Sequence, residues 1–264
     1  MIVSYIRFSN VHFSYDETQV FKDLNFYLPK NKTLSIIGPS GSGKTTLLRL
    51  LNNEFSYDGE IDVSGVIVNQ ANFNIIKRYI SVVYDDNTFV KEIVKDELRY
   101  SLENINVSPK EINRVLKELH EFFGIKKILN KAIDTLSKSD KSLIKILSYA
   151  VMKPSYICID GLLSYLDNRT KILLLNYLNY KEILLINITS DMNDTLYTDY
   201  VLCLYNGISA IDGKTLDVFK EEKIIRRLGL DLPFMVDIST QLQLYGLINK
   251  IYLNKETLVK KLWK

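Results

Sequence analysis

The chain is poor in the residues that most often advertise chemistry. Among 264 residues there are two histidines, two cysteines, one tryptophan and five prolines. His12 and His120 lie away from every motif and read as surface or packing residues. Cys158 and Cys203 each sit in an apolar, strand-like run, where a free thiol behaves as a small buried hydrophobe. No apolar run approaches the length of a membrane span; Ile172–Leu175 and Ile183–Ile188 are core-sized. The N-terminus MIVSYIRFSN lacks the charged start, apolar middle and small-residue cleavage site of a signal peptide. A net charge of +3 is too small to argue for nucleic acid, whose binders carry a concentrated basic face. There is no internal repeat and no low-complexity linker. The chain therefore reads as cytosolic, and the expectation is that any membrane association is made through a partner.

What is present is ordinary in bulk and concentrated in one place. A composition 47% hydrophobic and 25% charged suits a globular chain with a sizeable core, as one large domain or one domain with a modest appendage. The stretch Gly38-Pro39-Ser40-Gly41-Ser42-Gly43-Lys44-Thr45-Thr46 fits the phosphate-binding-loop pattern at every position. Thr33–Ile37 ahead of it reads as a short buried strand, and Thr46–Leu51 behind it as a helix. In that context the glycines let backbone N–H groups wrap around phosphate oxygens, and the helix N-terminus adds about half a positive charge. Lys44 would reach the outer phosphates of a nucleotide such as ATP, and the Thr45 hydroxyl would ligand Mg²⁺.

The rest of the chain surrounds this loop with a recognisable order. Alternating apolar and polar side chains over Tyr5–Leu28 predict half-buried strands, and Asp58-Gly59 introduces another at Glu60–Val63. Ile80–Tyr84 reads as a strand. From Val90 to about Tyr149 the spacing is helical, with Pro109 opening one helix after Ser108. Strands return at Ser155–Asp160 and Ile183–Ile188. Tyr200–Tyr205, Asn206-Gly207 and Ile208–Ile211 predict a hairpin. From Thr215 onward the pattern is mixed and mostly helical.

A phosphate-binding loop needs an acidic partner at the end of a neighbouring buried strand, and Asp160 is placed to be that residue. Before it stands Leu136-Ser137-Lys138-Ser139-Asp140, and after it Ser164-Tyr165-Leu166-Asp167. The order and spacing of these motifs resemble the ATP-binding subunit of an ABC transporter. There the segments correspond to the Leu-Ser-Gly-Gly-Gln signature, the Walker B strand and the D-loop with Asp167. Phe13-Ser14-Tyr15 looks like the adenine-stacking aromatic loop, with Tyr15 as the stacking residue; its plainer reading is a core-edge aromatic. Asp96–Asn104 is similar to the helix after the Q-loop in energy-coupling-factor ATPases, the pair that powers vitamin and metal uptake. Leu228–Phe234 resembles the start of their C-terminal dimerisation segment.

The resemblance implies an α/β fold: a P-loop NTPase core with an antiparallel β subdomain, an inserted helical subdomain and a small C-terminal dimerisation segment. Residues 1–214 would form the ATP-binding domain, with the helical subdomain at about 90–150, and residues 215–264 the dimerisation segment. It also implies ATP held by Tyr15, Gly38, Ser40, Gly41, Ser42, Gly43, Lys44, Thr45 and Thr46, with Mg²⁺ on Thr45 and Asp160. A second ABC ATPase subunit, a transmembrane scaffold and a substrate-binding membrane component are the implied partners, holding the chain at the inner face of the cell membrane.

The pattern breaks at the residues that do the chemistry. Gly161 stands where the family has the glutamate that polarises the attacking water, and Ser190 where it has the switch histidine. No register over Val83–Asn87 supplies the Q-loop glutamine; Tyr84 or Asp85 takes its place. In the signature, which caps the nucleotide of the partner, Ser137 is kept, but Lys138 and Ser139 replace glycines and Asp140 replaces glutamine. Lys138 reads either as a positive charge toward the partner's phosphate or as a solvated surface lysine. Losing a general base costs ~10²–10⁴ in rate, whereas the binding residues all remain. The expectation is a subunit that holds ATP·Mg²⁺ and hydrolyses it poorly in its own loop, as one half of a heterodimer. A nucleotide-binding pseudo-ATPase with a regulatory or assembly role is the alternative.

Overall fold

The computed structural model describes residues 4–86 and 88–263. The N-terminal residues 1–3 and Asn87 of the Q-loop window lie outside them. Two sheets form the frame. The first is antiparallel, in the order β2-β1-β4-β5, from β1 (Ile6–Tyr15), β2 (Thr18–Leu28), β4 (Asp58–Val63) and β5 (Val66–Ile67). Its strands alternate buried and exposed residues because one face meets the core and the other meets water.

The second sheet has the order β10-β9-β3-β8-β7-β6. Its strands are β3 (Leu34–Ile37), β6 (Ile80–Val83), β7 (Tyr156–Asp160), β8 (Leu184–Ile188), β9 (Tyr200–Tyr205) and β10 (Ile208–Lys214). Strands β9, β3, β8, β7 and β6 run parallel, and β10 returns antiparallel through the Asn206-Gly207 turn. All four residues of β3 and of β6 are buried, as expected for parallel strands covered on both faces.

Helix α1 (Lys44–Leu51) packs between the sheets, and its Leu47, Leu48, Leu50 and Leu51 join a core with Phe8, Val11, Phe21 and Ile36. Between β6 and β7 the chain inserts α3 (Val94–Glu103), α4 (Pro109–Phe123) and α5 (Lys138–Ala150), after a short α2 (Phe73–Tyr79) that precedes β6. Ser108 caps α4 by accepting the Glu111 N–H, Pro109 occupies the first turn, and Gly124 ends the helix in the left-handed conformation. The helical region thus holds separate helices, and after Gly124 the chain makes only short 3₁₀ turns before α5.

Helix α6 (Asn168–Tyr180) connects β7 to β8 and closes the second core against α4 and α5. The C-terminal part, α7 (Thr215–Lys220), α8 (Glu222–Arg227), α9 (Phe234–Leu244) and α10 (Lys255–Leu262), has a core of its own. That core joins Val218, Phe219, Ile225 and Val236 to Ile37, Val201 and Cys203 of the main sheet. Both cysteines are free and buried, and burial pushes the Cys203 thiol up to about 11. Among the described residues no helix is long and apolar enough to cross a membrane.

Candidate nucleotide-binding site

The strand order decides where the motifs meet. The phosphate-loop strand β3 lies beside β8, which lies beside β7 and then β6. The carboxyl ends of these parallel strands form one edge, where ligands of open α/β sheets sit. Gly38–Thr46 leaves the end of β3, Ser190 follows β8, Asp160 and Gly161 end β7, and Tyr84 and Asp85 follow β6.

The loop itself is built by steric necessity. Gly38 has φ +146°, and a Cβ there would lie 2.2 Å from the Leu204 carbonyl oxygen. Only glycine lets the loop start this close to β9. Lys44 folds back over the loop, donating to the carbonyl oxygens of Gly38 (2.7 Å) and Pro39 (2.8 Å). Desolvation pushes its pKa down, and the nearby Asp160 pulls it back up. The ammonium thus spans the concavity that a phosphate would occupy, and it must exchange backbone oxygens for phosphate oxygens on binding. Ser42 and Thr46 are buried beneath the loop, whereas Ser40, Gly41 and Thr45 face outward.

Thr45 and Asp160, far apart in sequence, are brought together: the Thr45 hydroxyl donates to the Asp160 carboxylate at 2.7 Å. Magnesium takes hard oxygen ligands, one or two from protein and the rest from phosphate and water. A hydroxyl and a carboxylate side by side fit that ion. Among the described residues no group of three or more His, Cys, Asp or Glu side chains could hold a metal ion.

Tyr15 belongs to the end of β1 rather than to a loop. Its ring meets Phe55 edge-on at 5.3 Å and Phe13 at 4.8 Å. It is half-buried, so it is both a core-edge aromatic and available to a base.

Gly161 sits at φ +74° with open space where a Cβ would be, so a side chain would fit but strain the backbone. Its N–H donates to the Ile188 carbonyl of β8. Ser190 is exposed, and Asp191 beside it caps the following 3₁₀ turn. Neither residue has a side chain able to take a proton at neutral pH.

In the signature segment Ser137 caps α5: its hydroxyl accepts the Asp140 N–H at 3.1 Å and donates to the Asp140 carboxylate at 2.7 Å. Asp140 is therefore a capping partner where a glutamine was expected. Ser137, Ser139 and Asp140 share an open cavity of about 480 Å³ with Asp167. Asp167 caps α6, and the Thr170 N–H and hydroxyl hold its carboxyl below the usual range. Lys138 is exposed, and its ammonium lies 3.4 Å from the centroid of the Tyr165 ring.

Three contacts were not legible as motifs. The Tyr165 hydroxyl donates to Asp85 at 2.6 Å. Lys145, buried on α5, pairs with Asp86. Lys171 of α6 pairs with Asp194 at 2.6 Å, both buried. The one sequence signal available was a lysine inside the apolar run Leu143-Ile144-Lys145-Ile146-Leu147. Tyr84 donates to Glu54 at 2.6 Å, and burial together with that carboxylate pushes its phenol well up.

A family model described as an ABC transporter matches residues 21–163. The energy-coupling factor transporter ATP-binding protein EcfA1 of Mesomycoplasma hyopneumoniae (strain 7448) is 32% identical over 269 residues, covering 98% of this chain and 97% of that protein. EcfA of Malacoplasma penetrans (strain HF-2) is 28% identical over 263 residues, covering 97% and 92%. Among solved structures, cbiO1 from Clostridium perfringens, described as part of the ABC transporter complex cbiONQ, matches with a TM-score of 0.70 at 22% identity. That match covers 86% of this chain and 95% of cbiO1, and it speaks for the fold.

Proposed function

The chain belongs to the energy-coupling-factor ATP-binding proteins of the ABC transporter family, and from that premise we propose that it is the weaker half of an ATPase heterodimer driving uptake of a vitamin or metal ion. It holds ATP·Mg²⁺ on Gly38–Thr46 and Asp160, with Tyr15 against the base. Magnesium supplies charge neutralisation at the phosphates; Thr45 and Asp160 position it. Lys44 trades its loop carbonyls for the outer phosphates. ATP closes the pair, and hydrolysis or release reopens it. In the closed pair Ser137, Lys138 and Ser139 face the nucleotide of the partner, and Asp167 lies at the seam.

A second ATPase, a transmembrane scaffold and a substrate-capturing membrane component complete the assembly, which keeps the chain on the cytoplasmic face. Residues 1–214 serve as the ATP-binding domain and 215–264 as the dimerisation segment. The latter reading is supported by Leu244, Tyr245 and Trp263, which expose 76%, 78% and 82% of their surface.

One observation carries the asymmetry: a complete binding constellation, with Thr45 and Asp160 2.7 Å apart, stands beside Gly161 and Ser190. The test replaces one loop lysine in each half of the assembled pair. Disabling the partner's loop should remove nearly all steady-state hydrolysis, whereas Lys44→Ala should chiefly abolish nucleotide binding in this half. Equal losses from the two replacements would contradict the asymmetry. If Lys44→Ala alters neither hydrolysis nor transport while the complex assembles, the role is regulatory or assembly only.

A further inference from the structure

The carboxylate that Gly161 cannot provide has a neighbour on the next strand. β6 and β7 run in parallel register, with Val83 opposite Ile159. Parallel strands lie ~4.8 Å apart. Asp85 lies two residues past the end of the pairing on the β6 side and Gly161 two residues past it on the β7 side, so both segments leave the same carboxyl edge of the sheet. The two segments are tied together there: Tyr165, four positions after Gly161, donates its hydroxyl to Asp85 at 2.6 Å. The Lys138 ammonium lies on the face of that phenol, 3.4 Å from its centroid, and a cation on the ring strengthens the phenol as a hydrogen-bond donor.

The two adjacent carboxylates after β6 are set for different tasks. Asp86 is tied down by buried Lys145 and by the Thr88 N–H and hydroxyl. Asp85 is exposed, accepts the Tyr165 hydroxyl and feels the Lys145 ammonium only at a distance. A carboxylate accepts at about four lone-pair sites, so Asp85 keeps acceptor capacity for a further proton donor such as water.

Resting on the nucleotide-binding role proposed above, we propose that Asp85 is the catalytic carboxylate of this site, displaced by one strand from the position of Gly161, and that Tyr165 is its positioning residue. Water attacks the terminal phosphorus of ATP as the bond from that phosphorus to the bridging oxygen breaks. The electron pair of the broken bond leaves with ADP, and the proton of the water passes to the Asp85 carboxylate. Tyr165 holds that carboxylate against the 161–165 segment, so the slow turnover left to this half depends on both residues.

The experiment uses the full chain, alone and assembled with its ATPase partner carrying a disabled phosphate loop. Two readouts are taken: affinity for a fluorescent ATP analogue with magnesium, and the single-turnover rate of ATP cleavage. Asp85→Asn should leave the affinity within about twofold and lower the rate by ~10-fold or more. Asp85→Glu should recover part of the rate, and Tyr165→Phe should lower the rate with unchanged affinity. An Asp85→Asn rate equal to wild type overturns the proposal while the binding role stands, and so does a wild-type chain that binds ATP but never cleaves it. A wild-type chain that binds no nucleotide defeats the proposed function itself.

Discussion

At the residue scale, the phosphate loop was readable because its requirements are local. Glycines, a lysine and a threonine in one contiguous run determine both the shape and the donors, and the structure closes them as the pattern demands. Gly38→Ala should destabilise the fold by about 1–3 kcal/mol, since its Cβ would sit 2.2 Å from the Leu204 oxygen; the urea midpoint measures this. Gly161→Ala should cost about 1 kcal/mol through its φ of +74° alone, because nothing lies near the added methyl. If the two replacements cost the same, close packing is not what selects Gly38. The contacts that escaped sequence reading are those made across the fold. Lys145 and Asp86 are 59 residues apart, and Tyr165 and Asp85 are 80 apart, so no window along the chain shows them meeting.

At the element scale, strands and helices followed from periodicity where one face is buried, and the hairpin from Asn206-Gly207. Boundaries moved where a terminus decided them: α3 starts at Val94 rather than Val90, because Glu97 turns back to accept the N–H groups of Val90 and Lys91. The buried Lys145 on α5 has a measurable signature. Desolvation pushes its pKa down in the folded chain, so the unfolded chain binds the proton more tightly. Stability from this group therefore rises with pH toward the ordinary lysine value near 10.4. Lys145→Met should be neutral or stabilising by about 1 kcal/mol near neutral pH, since it removes a buried charge and leaves Asp86 able to face water. Its advantage over wild type should shrink as pH rises toward the ordinary lysine value of about 10.4 in chemical denaturation. An advantage that grows with pH would mean that the lysine is not held against its charged form.

At the scale of the whole molecule, we propose that α3 of the helical insertion passes the motion of the nucleotide edge to the transmembrane scaffold as a coupling helix, and that the C-terminal tail associates with the second ATPase. Family resemblance in the sequence anticipated the order of these parts; their contacts with other chains are the proposal. On α3, Glu97 is buried and structural, so only exposed acidic positions are fair probes of coupling. Asp96→Lys in the assembled transporter should reduce transport by about tenfold or more with ATP binding unchanged. Unaltered transport would remove α3 as the coupling helix. Truncation after Leu228 would expose Phe219 and Ile225 of the third core, so point replacements are the cleaner probe of the tail. Tyr245→Ser with Leu247→Ser should weaken pairing with the second ATPase in sedimentation while leaving the monomer's melting temperature within a few degrees.

The central claim is that this half of the pair binds nucleotide well and cleaves it poorly. Magnesium-dependent ATP binding and single-turnover cleavage by the purified chain, alone and mixed with its partner, test it most directly. The account predicts binding by the chain alone, with cleavage at least ~10²-fold slower than in the mixture. Cleavage by the isolated chain as fast as in the mixture, abolished by Lys44→Ala, would contradict it.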